Sequence, residues 1–183
     1  MNYETYLLNI LFAFYWNVQT GKQLQMLEGH SDVVYSLAVL PNGFLASGSQ
    51  DKTIRVWNVS SGETTANRTG HSGGVTSLLA LQNGDLVSGS ADNTIKIWNM
   101  QDEVEAPQAL LGHKNSIHDL IKLPTGELVS AAEDDTVRIW NMTTRKEIKI
   151  LREHKSPVNA LTLLPSSQFV SCSSDQTLRI WTR

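Results

Sequence analysis

The sequence is short of several things, and each shortage closes a route. Among its 183 residues there is one cysteine, Cys172. A disulfide framework within the chain and a cysteine-rich zinc site are both excluded, and a reducing compartment, cytoplasmic or nuclear, fits best. Charged residues are only 18%, below the roughly 25% of ordinary globular chains. The net charge is −3, so no general pull toward nucleic acid or anionic membrane is expected. One apolar run stands out, Tyr6 to Trp16. It is too short to span a bilayer, and neither a preceding basic residue nor a small-residue cleavage site marks it as a signal peptide. Neither H-x-x-x-H, nor C-x-x-C, nor a glycine-rich phosphate loop occurs, so no metal and no cofactor is expected.

What is present is hydroxyl-rich and periodic. Ser and Thr number 33, as many as the charged residues, and the chain is long enough for one domain with a sizeable core. All five tryptophans fall on one ladder, Trp16, Trp57, Trp98, Trp140 and Trp181, in steps of 41 or 42 residues. Four of the five histidines form a second ladder, His30, His71, His113 and His154, each 27 residues before its Trp. Asp51, Asp92, Asp134 and Asp175 lie six before the same Trp, and Ser47, Ser88, Ser130 and Ser171 lie ten before. Four residue types in fixed register, four times over, define an internal repeat.

The segments between these markers read as strands. Val33 to Leu40 is rich in β-formers and ends at P-N-G; Phe44 to Ser49 ends at Q-D-K; Thr53 to Asn58 alternates Ile54 and Val56 with Arg55. A fourth short strand follows S-S-G-E and runs to Thr69. Four short strands with turn signals between them predict antiparallel sheet, and a period near 41 matches one propeller blade. The fold class is therefore all-β.

The G-H pairs at Gly29-His30, Gly70-His71 and Gly112-His113, and the S-G-S-x-D-x-T-I-[RK]-[VI]-W-N runs ending after Trp57 and Trp98, carry a resemblance. The pattern resembles the WD-repeat (WD40) β-propeller family over residues 12–183, with four complete repeats (about 30–69, 70–111, 112–152 and 153–183) and a partial one at the N-terminal side. Residues 1–11 match no part of a blade. Asn replaces the namesake Asp after Trp in four repeats, and Thr182 replaces it in the last. Glu153 stands where Gly precedes the last His; should that position need a positive φ, Glu there would cost about 1 kcal/mol.

Ser, His and Asp together invite a hydrolase reading. A triad, however, occurs once, beside a substrate pocket, whereas this set occurs four times, always with a Trp. The resemblance implies a structural tetrad in each blade: Trp N–H to Ser, Ser to His, His to Asp. Spacing by a whole blade also keeps the four His apart, against a shared metal. No catalysis is expected. Partners of such a fold, the resemblance implies, dock on the rim, at positions one, three and five after each His and one before each Asp. The candidates are Tyr35, Gln50, Thr76, Lys114, His118, Glu133, Lys155 and Asn159. Tyr35 is the only Tyr after residue 15, and His118 the only His off the ladder.

The implied function is a non-catalytic scaffold or adaptor that positions other proteins or peptides. The alternatives are recognition of a phosphorylated or modified peptide through Lys114, His118 and Lys155, or a non-functional fragment of a longer WD-repeat protein. A basic stretch, Thr143 to Lys155, either meets an acidic partner or guards an outer edge strand against aggregation. Closure is the remaining question, because four repeats are few for a ring. The resemblance implies that an N-terminal strand completes the last blade, and Lys22 to Leu27 is the candidate. A partial ring of a larger propeller, a chain that closes alone on four blades or stands as an open arc, and a homodimer closing an eight-bladed ring all follow from the count.

Overall fold

The computed structural model describes residues 12–102 and 105–182; the segment expected to stand outside the repeats, residues 1–11, lies outside the described residues. Strands β1 (Phe12–Asn17) and β2 (Lys22–Glu28) form an antiparallel hairpin. Three four-stranded meanders follow. The first holds β3 (Val34–Val39), β4 (Leu45–Ser49), β5 (Ile54–Asn58) and β6 (Glu63–Arg68). The second holds β7 (Val75–Ala80), β8 (Leu86–Ser90), β9 (Ile95–Trp98) and β10 (Gln108–Leu110). The third holds β11 (Ile117–Lys122), β12 (Leu128–Ala132), β13 (Val137–Asn141) and β14 (Lys146–Leu151). A three-stranded sheet, β15 (Val158–Leu163), β16 (Phe169–Ser173) and β17 (Leu178–Trp181), completes the described chain. Each sheet after the hairpin is one blade, and the described residues contain no helix.

Local chemistry sets these elements. In the first three blades the turn between first and second strands needs a left-handed residue, supplied by Gly43, Gly84 and Gly126 at φ 85°, 95° and 102°. In the fourth, Ser167 occupies it at φ 63°, which costs an L-residue about 1–2 kcal/mol. Each first strand carries a bulge, at Tyr35, Thr76, His118 and Asn159, where the register slips by one residue. A bulge leaves its extra residue outside the ladder and re-aims its side chain, so the four positions five after each ladder His are set apart by backbone geometry.

The core lies between blades rather than inside them. Ala46, Ile54 and Val56 of the first blade pack with Val75, Leu78, Leu86 and Trp98 of the second. Val87, Ile95 and Ile97 of the second pack with Ile117, Leu120, Leu128 and Trp140 of the third. Val129, Ala131 and Val137 of the third pack with Val158, Leu161 and Phe169 of the fourth. The first strands run side by side, β3 with β7, β7 with β11 and β11 with β15. Polar bonds join them. Ser36 Oγ accepts from Leu78 N–H (2.9 Å), and Asp119 Oδ2 accepts from Leu161 N–H (2.7 Å).

Two expectations are corrected here. The strand at Lys22 to Leu27 does not complete the last blade. It is β2, and it pairs with β1 in the register of the other third and fourth strands. Trp16 faces Gln23 as Trp57 faces Thr64 and Trp140 faces Glu147, each beside a register shift. The hairpin is thus the outer half of a blade that precedes the first. Nor does Glu153 carry left-handed strain. Neither it, Gly29 nor Gly112 has a positive φ. Glycine serves there for closeness, because a Cβ at Gly29 would lie 2.7 Å from Arg55 Nη1 and one at Gly112 2.6 Å from Arg138 Nη1.

Candidate functional site

In each blade the Trp arises at the end of the third strand, the Ser in the middle of the second, and the Asp in the tight turn joining those strands. The His comes from the loop entering the first strand. Antiparallel pairing brings them together. Trp57 Nε1 donates to Ser47 Oγ at 2.7 Å, Ser47 Oγ lies 2.7 Å from His30 Nε2, and His30 Nδ1 lies 2.8 Å from Asp51 Oδ2. The second blade repeats this through Trp98, Ser88, His71 and Asp92 at 2.8, 2.7 and 2.8 Å. The third does so through Trp140, Ser130, His113 and Asp134 at 2.9, 2.7 and 3.0 Å. The fourth does so through Trp181, Ser171, His154 and Asp175 at 2.8, 2.7 and 2.8 Å. For Trp16, neither Ser nor Asp partners exist at the matching sequence positions.

The protons can be placed by elimination. A carboxylate only accepts, so His Nδ1 carries the hydrogen. The Ser hydroxyl accepts from the indole, and among the described bonds His Nε2 is the one group that can take its proton, so it donates there. Burial, the largest influence on His71, lowers that residue's pKa and favours its neutral imidazole. Each Asp is held ionised. At Asp51 burial opposes the charge, but bonds from Thr53, the Ser31 N–H and His30 outweigh it and bring the carboxyl to about 2. Against burial, Thr94, His71 and the Ser72 N–H hold Asp92 below the usual carboxylate range, His113, Thr136 and the Lys114 N–H do so for Asp134, and at Asp175 the Thr177 hydroxyl leads.

Threonine is a fifth member of the network, beyond the Trp, Ser, His and Asp that the repeat pattern singles out. Thr53, Thr94, Thr136 and Thr177 donate to their Asp at 2.7, 2.6, 2.6 and 2.6 Å. Its signal in the sequence is D-x-T, present in every repeat. The middle residue of that turn, Lys52, Asn93, Asp135 or Gln176, is left-handed in all four cases. The four Ser residues are 0% exposed. Each hydroxyl is capped on one side by an indole and on the other by an imidazole, so nothing approaches it without dismantling the blade.

The candidate rim residues lie at the end of the blades that holds the Asp turns. Backbone bonds from Gln50 N–H to Val33 O, Ala91 to Gly74, Glu133 to Ser116 and Ser174 to Pro157 bind the turn to the loop after the His in every blade. Tyr35 is 51% exposed, and Gln50, Lys114, Glu133, Lys155 and Asn159 are exposed as well. Gln50 leans on Gly74 of the next blade, where a Cβ would sit 2.3 Å from its Oε1. Asn159 Nδ2 donates to Ser174 Oγ at 3.0 Å. Thr76 and His118 differ from these. Both are half-buried bulge residues that reach the neighbouring blade, Thr76 Oγ1 donating to Ile117 O (2.5 Å) and His118 Nδ1 to Val158 O (3.1 Å). Their polar atoms stitch blades together. The basic stretch runs along β14, the outer strand of the third blade, whose Glu147 pairs with buried Arg138.

Antiparallel meanders arranged side by side about their first strands, with cores shared between neighbours, define β-propeller architecture. Comparison gives the family. The family model described as "WD domain, G-beta repeat" matches residues 21–58, 62–99, 105–141 and 145–182, and the chain belongs to that family. Each matched segment begins near an outer strand and ends with the next blade's Trp strand, so the sequence unit is staggered against the sheet. The crystal structure of the WD40 β-propeller domain of Doa1 superposes with a TM-score of 0.84 at 24% identity, over 94% of this chain and 58% of that one. Shorter stretches resemble the periodic tryptophan protein 2 homologs of Neurospora crassa (55% identical over 42 residues) and Schizosaccharomyces pombe (52% over 44). Those matches cover 22% and 24% of this chain and 5% of each relative's length.

Proposed function

We propose that the chain is a non-catalytic platform that holds protein or peptide partners on the rim beside its Asp turns. The observation that carries this reading is the saturation of the tetrads. Every Ser–His–Asp set is internally hydrogen-bonded and its hydroxyl is fully buried, while polar and aromatic side chains stand exposed directly beside it. Rigid blades with free loops are suited to positioning rather than to bond making. Tyr35 is the aromatic anchor, with Gln50, Lys114, Glu133, Lys155 and Asn159 as the polar surround. Thr76 and His118 fix the rim's shape through their bonds across blades. Residence in a reducing compartment accompanies this reading, since Cys172 is an exposed free thiol.

The experiment is affinity capture with a rim variant, Tyr35→Ala combined with Lys114→Ala and Lys155→Ala. The expected result is loss of specifically captured proteins at unchanged thermal stability. Retention of every captured protein would overturn the rim assignment. Hydrolase activity lost on Ser88→Ala but retained by a variant of equal stability elsewhere in the same blade would overturn the non-catalytic reading.

A further inference from the structure

We infer that the outer edge of the first blade, strand β6, takes up an extended acidic segment of a partner protein as an added strand, with a carboxylate of that segment on Arg68. This does not rest on the rim reading, whose residues lie on other elements.

Arg68 breaks the pattern of its own repeat. It pairs with Ile54 across β5 and β6. The same outer-strand position is Leu27 in the hairpin, paired with Ala13, Leu110 in the second blade, paired with Ile95, and Leu151 in the third, paired with Val137. Leu27 and Leu110 are 2% exposed, and Arg68 is only 8% exposed. A guanidinium therefore stands where the repeat buries an apolar side chain. Burying a cation with no anion beside it is strongly unfavourable.

The chain itself supplies no such anion. Among the described residues no ion pair reaches Arg68, and its Nε is buried without a hydrogen-bond partner. The third blade shows the alternative: β14 supplies Glu147 to Arg138, and Asp134 lies 3.8 Å from the same guanidinium. The residue of the first blade equivalent to Arg138 is Arg55, which sits over the Trp57 ring at 6.0 Å. Thr64 faces Trp57 where Glu147 faces Trp140, so at that position β6 offers a hydroxyl in place of a carboxylate. The outer half of the first blade thus carries two arginines, neither with an ion pair among the described residues.

The edge beside Arg68 is open to pairing. β6 is the outermost strand of its sheet. From Thr64 to Asn67 it has neither a charged residue nor a proline, the usual guards of an exposed edge. By contrast β14 carries Lys146, Glu147 and Lys149, and β10 is only three residues long. Between its ends β2 is as bare as β6, but it holds Leu27 in place of Arg68. A groove of about 350 Å³ runs along β6, lined by Thr64, Thr65, Ala66, Asn67 and Arg68. A strand laid in it takes main-chain hydrogen bonds from the edge, and its alternate side chains fall on the Arg68 face. A carboxylate there meets the guanidinium in a two-point pair and supplies the missing charge.

The test is fluorescence anisotropy on the full chain with a labelled eight-residue peptide of alternating valine and glutamate. The expected result is saturable binding, weakened about tenfold or more when glutamine replaces the glutamates, and likewise by Arg68→Leu or Arg68→Gln. Hydrogen exchange over Glu63–Arg68 is expected to slow in the complex, with Lys146–Leu151 unchanged. In the free chain, Arg68→Leu is expected to raise the melting temperature by about 2–4 °C, because the leucine of the other blades removes a buried unpaired charge. The rim variant lacking Tyr35, Lys114 and Lys155 is expected to bind the peptide as the parent does, which keeps failure of this site distinct from failure of the rim. Absence of binding at millimolar peptide, undiminished binding by Arg68→Leu, unslowed exchange over Glu63–Arg68, or a lower melting temperature for Arg68→Leu would each overturn the proposal. So would preference of the site for inorganic phosphate or an oligonucleotide over the peptide. A doubled mass in light scattering that is lost on Arg68→Leu would overturn it too, and would assign the edge to a second copy.

Discussion

Leu37 and Leu120 are the same residue type at the same repeat position, and one is 55% exposed while the other is 4%. Nothing in their own sheets explains the difference; what differs is the preceding sheet, which has four described strands before Leu120 and two before Leu37. The interior faces and the end faces of this molecule share a sequence pattern and part company in burial. A blade is therefore not a folding unit with its own core. It contributes half of two cores, and most of its apolar stabilisation is realised only when a neighbour supplies the other half.

The sharpest way to break this comparison is to truncate the two leucines in parallel. Leu120→Ala should lower the unfolding free energy by about 2–5 kcal/mol through lost burial and a residual cavity. Leu37→Ala should change it by less than about 0.5 kcal/mol. Urea denaturation checks both, and equal losses would refute cores shared between blades. The tetrads sharpen the contrast next. Asp92→Ala leaves a buried His71 proton, the Thr94 hydroxyl and the Ser72 N–H without their acceptor, and should cost about 1–3 kcal/mol. Asp175→Ala, in the blade with an open face and an exposed Thr177, should cost less in the same assay.

Acid should act on the same groups. The Asp51 carboxyl is lowered from 3.8 to about 2, so the folded state binds fewer protons than the unfolded one between these values. The stability it contributes is full above about pH 4 and is lost as pH falls toward about 2. Asp92, Asp134 and Asp175 are depressed in the same direction and continue the loss below that. His71, also lowered by burial, begins its own loss once pH drops below about 6.5, because the unfolded imidazole then takes up a proton first. Melting temperatures between about pH 8 and about pH 2 should show a shallow decline below neutrality and a steep one below about pH 4. Asp119 is shifted the opposite way: its burial raises it against the bonds from Leu161 and Leu120, so it moderates the acid loss. The smallest effect belongs to Glu153→Gly, within about 0.5 kcal/mol of wild type by calorimetry, because Glu153 has no left-handed strain to relieve.

How much of this is legible in the sequence depends on which interactions are local to a repeat. The tetrads are legible because each closes within one module, Trp and Ser ten apart and His and Asp 21 apart, and so recurs in all four complete repeats. Threonine is equally local, but Ser, His and Asp already suggest a complete set and draw attention from it. The bulges at Tyr35, Thr76, His118 and Asn159 leave no residue-type signature, since four different side chains occupy them. What lies between blades is harder. Leu37 and Leu120 look identical in sequence, and only assembly tells them apart. The placement of β2 is hidden for the same reason. Its pattern suits any Trp-bearing third strand, and pairing with nearby β1 closes a much shorter loop than pairing with β17. Glu153 misleads because the glycines it replaces read as turn formers, whereas Gly29 and Gly112 make room for Arg and Trp side chains.

Hydrogen exchange at the tryptophan indole N–H groups, followed by nuclear magnetic resonance, probes tetrad and blade face together. The expected result is that the indoles of Trp57, Trp98 and Trp140 exchange only through global unfolding, while that of Trp181, bonded to Ser171 but with no covering strand among the described residues, exchanges faster by local opening. Fast exchange at all four, at rates of indoles in bulk water, would contradict the buried relay and with it the reading of these residues as scaffolding.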